Sequence, residues 1–100
     1  MIKAILIDGY GQRIVQQHMR PSFHDVEEII GPDWWTTKPH LLDNGDMIYW
    51  NGHHQCNSGE FTYQGTFWCG NVLISRIDSY GDLMDCRTDL ADVRPCVVWK

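Results

Sequence analysis

The run Met1-Ile2-Lys3-Ala4-Ile5-Leu6-Ile7-Asp8 decides the fold. Ile2 to Ile7 is almost continuously apolar and rich in β-branched residues, the pattern of a strand covered on both faces and so central in its sheet. Asp8-Gly9-Tyr10-Gly11 then turns the chain. Arg13 to Met19 alternates weakly, with Val15 and Met19 on one side and Gln16 and His18 on the other. That alternation predicts a half-exposed second strand paired back on the first, so the chain opens with a β-hairpin.

Outward from this hairpin, Pro21-Ser22 precedes Phe23-His24-Asp25-Val26-Glu27-Glu28-Ile29-Ile30-Gly31-Pro32, which carries the strongest helix signals present. Ser22 can cap the free amides, Asp25 can reach back to it, the two glutamates favour the early turns and Gly31-Pro32 ends the run. Phe23, Val26, Ile29 and Ile30 share one face. A helix of about two turns is not stable alone in water, so this stripe must lie against a sheet.

A second hairpin is expected where His40 to Asp43 and Asp46 to Trp50 flank Asn44-Gly45, the dipeptide that most readily accepts the positive φ angles of a tight turn. Asn51 to Gly59 reads as a polar surface loop, and Glu60 to Gln64 as a strand with Phe61 and Tyr63 on one face. Thr66 to Cys69, Asn71 to Ile77, Leu83 to Cys86 and Cys96 to Trp99 read as further strands, with a short helical turn over Asp89 to Val93 behind Thr88. The expected fold is α+β: a single domain over residues 1–100, with one main helix (about 23–30) and a short C-terminal helical turn on a mostly antiparallel, curved sheet.

The chain has 100 residues, 43% apolar and 21% charged, which fits one soluble domain with one core. No stretch approaches the roughly 18 apolar residues of a membrane span, and the opening apolar run breaks too early for a signal peptide, so a cytoplasmic location is expected. Thirteen acidic residues against eight Lys and Arg give a formal charge of −5, which opposes general nucleic-acid binding. Four cysteines without an export signal or a Cys-x-x-Cys pair read as reduced thiols.

Reactive side chains are densest at His53-His54-Gln55-Cys56, with His40 and Cys69 as companions. One ligand pair from one turn falls short of a tetrahedral zinc set, so these are weak metal candidates and no cofactor is expected. Cys56 beside His54 and Asn57 has the letters of a cysteine nucleophile, but residues so close in sequence seldom converge on one reacting atom. No catalytic residue can be named, and the chain is not expected to be an enzyme.

Two features point to binding instead. Asp78, Asp82, Asp85, Asp89 and Asp92, with Tyr80 among them and only Arg87 opposing, could present a phosphate-like row to a basic partner. Their steps of three and four would line a helix face, although Gly81 and the turn-like 78–82 segment argue against a helix there. Trp34 and Trp35 are adjacent, so in an extended segment their rings point to opposite faces and cannot both enter one core. Exposed tryptophan suits a protein hot spot or stacking on a nucleobase.

The layout resembles a family of small uncharacterised proteins carried by phages and plasmids, a domain of unknown function. The matching pieces are Met1 to Asp8, Val26 to Gly31, Asn44 to Tyr49, Gly70 to Ile74 with Gly81-Asp82, and Val97 to Trp99. The chain departs from that pattern at Trp34-Trp35 and at His53 to Cys56. The resemblance implies a bacterial host cytoplasm and an accessory role, in which small acidic proteins block host enzymes or defence systems.

The leading expectation is therefore a non-enzymatic inhibitor of a host bacterial protein, with Trp34, Trp35 and the acidic 78–92 segment in contact. The alternative is a binder that sequesters a nucleotide signal, with aromatic rings on the base and Arg13, Arg20 or Arg76 on the phosphates. A small hydrolase or zinc protein ranks third. An uncovered sheet edge and spare tryptophans also favour a homodimer.

Overall fold

The computed structural model describes residues 1–31, 38–50 and 59–100. At its centre β1 (Ile2–Asp8) lies between β2 (Arg13–Met19) and β7 (Asn71–Ile77), with Ile5 opposite Gln16 on one side and Ile74 on the other. β7 continues to β4 (Met47–Tyr49) and then to β3 (His40–Leu41), giving the order β2-β1-β7-β4-β3, antiparallel throughout. β8 (Leu83–Met84) joins β7 at Arg76 and Ile77, beyond the last residue of β7 that pairs with β1.

A second sheet orders β6 (Thr66–Cys69), β5 (Glu60–Tyr63) and β9 (Val98–Trp99). Its apolar residues Phe61, Tyr63 and Trp68 pack on Ile5, Ile7, Ile48, Val72 and Ile74 of the first sheet, forming the larger core cluster. The opposite face of the first sheet, through Ala4, Leu6, Tyr49 and Leu73, is covered by Val26 and Ile30 of α1 (Phe23–Ile30). β1 and β7 are thus buried on both faces, which is why their sequences are nearly unbroken apolar runs.

Ser22 caps α1 by accepting from the His24 amide at 3.2 Å, and Gly31 ends the helix at φ 113°. The Asp25 amide donates to Ser22 O at 3.1 Å, but its side chain does not reach back to Ser22. It accepts from the Arg20 amide at 3.0 Å and pairs with the Arg20 guanidinium at 2.6 Å, pinning the chain segment that enters the helix.

The chain is sheet-rich and mostly antiparallel, as expected of an α+β protein, but the expectation of one main helix on one sheet is not matched. Among the described residues there are two short helices, α1 and α2 (Leu90–Val93), the latter followed by a 3-10 turn at Arg94–Cys96. Alternation along Glu60–Tyr63 reveals a buried face without revealing that the face meets a second sheet. Asn44-Gly45 does not form a two-residue turn either. Leu42 donates to Asp46 O at 2.8 Å, Gly45 donates to Leu42 O at 3.0 Å, and only Gly45 has positive φ, so the loop has three residues. The two-residue turn is Gln64-Gly65, with φ 56° and 69°.

Trp68 is buried, its Nε1 donating to Tyr63 O at 3.1 Å. Trp50 meets it edge-on at 5.3 Å, and Trp99 packs on Phe61 at 5.6 Å. Three of the five tryptophans therefore serve the core. The reading of all cysteines as reduced thiols is corrected at Cys69, which is disulfide-bonded, whereas Cys86 and Cys96 are free. That reading rested on the missing export signal and on the spacing of the cysteines, neither of which says which sulfurs meet in space. Among the described residues no helix is long and apolar enough to cross a membrane.

Candidate functional site

The β3–β4 loop ends on Asp46, a fully buried carboxylate. Its Oδ2 accepts from the Thr88 hydroxyl at 2.6 Å, the Thr88 amide at 2.8 Å and the Arg87 amide at 2.9 Å. Its Oδ1 accepts from Arg76 Nη1 at 3.2 Å. Asn44 completes the knot by accepting from the Asp46 amide at 2.9 Å and donating to Thr88 Oγ1 at 3.0 Å. Burial alone would raise the Asp46 pKa, but the bonds from Thr88, Arg87 and Arg76 outweigh it and hold the carboxyl below its ordinary value.

This knot fixes one wall of an open cleft of about 270 Å³. The β3–β4 loop contributes Leu42, Asp43 and Asn44, the β5–β6 hairpin contributes Tyr63 and Gln64, and the segment through α2 contributes Thr88 and Asp92. Leu42 and Tyr63 are buried, whereas the Asp43 and Asp92 side chains are exposed. Neither of those carboxylates has an ion-pair partner among the described residues, and the lining includes no Lys or Arg. Leu42 and Tyr63 together with two carboxylates lacking a cation suit a cationic head on an aliphatic stem, the shape of a Lys or Arg side chain.

The acidic series does not form one row. Asp78 closes the β7–β8 turn by accepting from the Tyr80 and Asp82 amides at 2.9 and 3.0 Å, leaving Tyr80 90% exposed at its tip. Asp85 accepts from the Lys3 amide at 2.8 Å, and Asp89 pairs with Lys3 Nζ at 3.1 Å. Of the five, only Asp82 and Asp92 have no bond to their carboxylates among the described residues, and only Asp92 lines the cleft. Trp34, Trp35, His53, His54 and Cys56 lie outside the described residues.

Asp43 was missed because Asp43-Asn44-Gly45-Asp46 reads as turn chemistry. Its neighbour Asp46 was missed because a buried acid in a hairpin loop has no sequence signature. Among the described residues no group of three or more His, Cys, Asp or Glu could hold a metal ion. His40 packs edge-on against Trp68 at 5.6 Å, and Cys69 is committed to its disulfide. The buried Cys86 thiol is pushed up to about 11, by burial first and the Asp46 charge second, so it stays protonated at neutral pH.

The three arginines suited to phosphate are all engaged: Arg13 with Asp8 at 3.0 Å, Arg20 with Asp25, and Arg76 with Asp46. Searches against known protein families, curated proteins and solved structures found no match to this chain.

Proposed function

We propose that the chain is a non-enzymatic binding protein that engages a basic segment of a protein partner, with a Lys or Arg of that partner entering the cleft between Asp43 and Asp92. The observation that carries this reading is that two carboxylates without an ion-pair partner among the described residues line one cleft with Leu42 and Tyr63, beside a wall fastened by Asp46. In the phage or mobile-element setting that the resemblance implies, the partner is a host bacterial protein, in the first instance a defence protein, and binding inhibits it. Trp34 and Trp35 are proposed as further contacts. Tryptophan is enriched at binding hot spots, and its ring face attracts a guanidinium or ammonium group.

A nucleotide ligand has less support, because Arg13, Arg20 and Arg76 would each have to leave a carboxylate to bind phosphate. The test is comparative capture from bacterial lysate, with wild type beside Asp43→Asn/Asp92→Asn and Trp34→Ala. The wild type is expected to retain a specific protein that the double variant loses by at least about tenfold, as removal of a desolvated charge contact predicts. Equal retention by the double variant overturns the cleft as the contact. Release of a nucleotide on denaturing the purified chain would favour the alternative ligand.

A further inference from the structure

β2 is a seven-residue strand at the margin of the six-stranded sheet, and the direction of its backbone groups can be read from β1. Lys3 donates its amide to Asp85 at 2.8 Å and accepts from the Cys86 amide at 3.0 Å, so both of its backbone groups point away from β2. In an antiparallel ladder these directions alternate along the strand. Ile2, Ala4, Leu6 and Asp8 therefore face β2, where their partners are Met19, Gln17, Val15 and Arg13. Ile14, Gln16 and His18 are left with amide and carbonyl groups pointing outward. Among the described residues these outward backbone groups receive one bond, from the Gln17 side-chain amide to His18 O at 3.3 Å, while the Gln16 and His18 side chains meet each other at 3.2 Å.

This margin lacks the usual protections against strand addition, which are charge, proline, a bulge or short length. Residues 14–18 are Ile-Val-Gln-Gln-His, the register with β1 is unbroken over seven pairs, and the terminal Arg13 is held by Asp8. The other marginal strands are shorter: β3 and β9 have two residues each and β6 has four. In a chain of net charge −5, like can approach like most readily along a strip without acids, and β2 contains none.

We propose that two copies of the chain pair through β2 about a two-fold axis at Gln16, joining their six-stranded sheets into one. Gln16 then lies opposite Gln16 of the second copy, and Ile14 opposite His18, so each outward amide meets a carbonyl. Val93 packs in the same core cluster as Ile14, while Gln16 and His18 remain exposed for the contact.

Sedimentation equilibrium of the intact chain from micromolar to millimolar concentration tests this, together with amide exchange. Wild type is expected to double in mass as concentration rises and to associate more tightly in higher salt, which screens the mutual repulsion. Exchange at Ile14, Gln16 and His18 should slow by about tenfold or more on association, while Val15 and Gln17 are already protected in the monomer.

Gln16→Pro removes an outward amide that no bond among the described residues uses, and should give a folded monomer. Gln16→Lys places two like charges on the axis and should do the same without constraining the backbone, so it decides the matter if the proline variant fails to fold. A wild type that stays monomeric throughout overturns the proposal. So does a dimer that persists in folded Gln16→Lys, because the contact would then be another surface.

Discussion

Asp46 shows how one side chain can hold three segments at once. Its carboxylate joins the β3–β4 loop to β7 through Arg76 and to the 87–88 segment through backbone amides and the Thr88 hydroxyl. Replacing it with Asn leaves the shape but sets an amide donor against those donors, which should cost about 3 kcal/mol in chemical denaturation. The pH dependence has a definite sign. The folded pKa lies below the unfolded one, so the stabilisation is fully present above the unfolded value and is lost as pH falls through the lower folded value. Asp46→Asn should flatten the acid limb of the stability curve. An unchanged limb would show that other carboxylates carry it. None of this was legible in the sequence, where Asp46 is one of thirteen acids and sits beside Asn-Gly.

At the scale of elements, what could be read were the segments whose sequence and burial agree. Ile2–Asp8, Phe23–Ile30 and Asn71–Ile77 are apolar on the faces that become covered, so local pattern and tertiary contact say the same thing. The turns were harder. Gln64-Gly65 forms the tight two-residue turn despite lacking asparagine, because Tyr63 opposite Thr66 fixes the register around it.

Gly9, Gly59 and Gly70 form a junction that sequence cannot announce, since its meaning lies in backbones meeting. Gly9 donates to Gly70 O at 2.9 Å and Gly70 donates to Gly59 O at 3.0 Å. A Cβ on Gly9 would press on Gly59 O and lie 2.6 Å from Gly70 O. Gly65, by contrast, has open space around it and only its positive φ to defend. Gly9→Ala should therefore cost about 3 kcal/mol or more, whereas Gly65→Ala should cost about 1 kcal/mol. Thermal melts of the two variants check the order, and equal losses would refute the steric account of the junction.

Across the whole molecule, the cleft draws on both sheets and the α2 segment, so it exists only once the layers have assembled. Asp92 was legible as part of an acidic stretch, but the site it shares with Asp43 was not, because residues 43, 64 and 92 meet only through tertiary packing. The expected acidic row dispersed for the same reason: Lys3, remote in sequence, drew Asp85 and Asp89 to itself.

The placement of β1 between β2 and β7 has a consequence for synthesis. The β1–β2 hairpin can close once residues 2–19 have emerged, but the other margin of β1 waits for a strand that starts at Asn71. At ordinary elongation rates this delay is roughly 3–11 s, during which Ile5 to Asp8 lack the strand that pairs with them on that side. Pulse proteolysis of ribosome-bound chains arrested at successive lengths should show β1 becoming resistant only once Ile77 has cleared the exit tunnel. Resistance at much shorter lengths would mean that the hairpin shields itself. Until β7 arrives, the most apolar segment of the chain keeps one unpaired margin, open to a chaperone or to a neighbouring nascent chain.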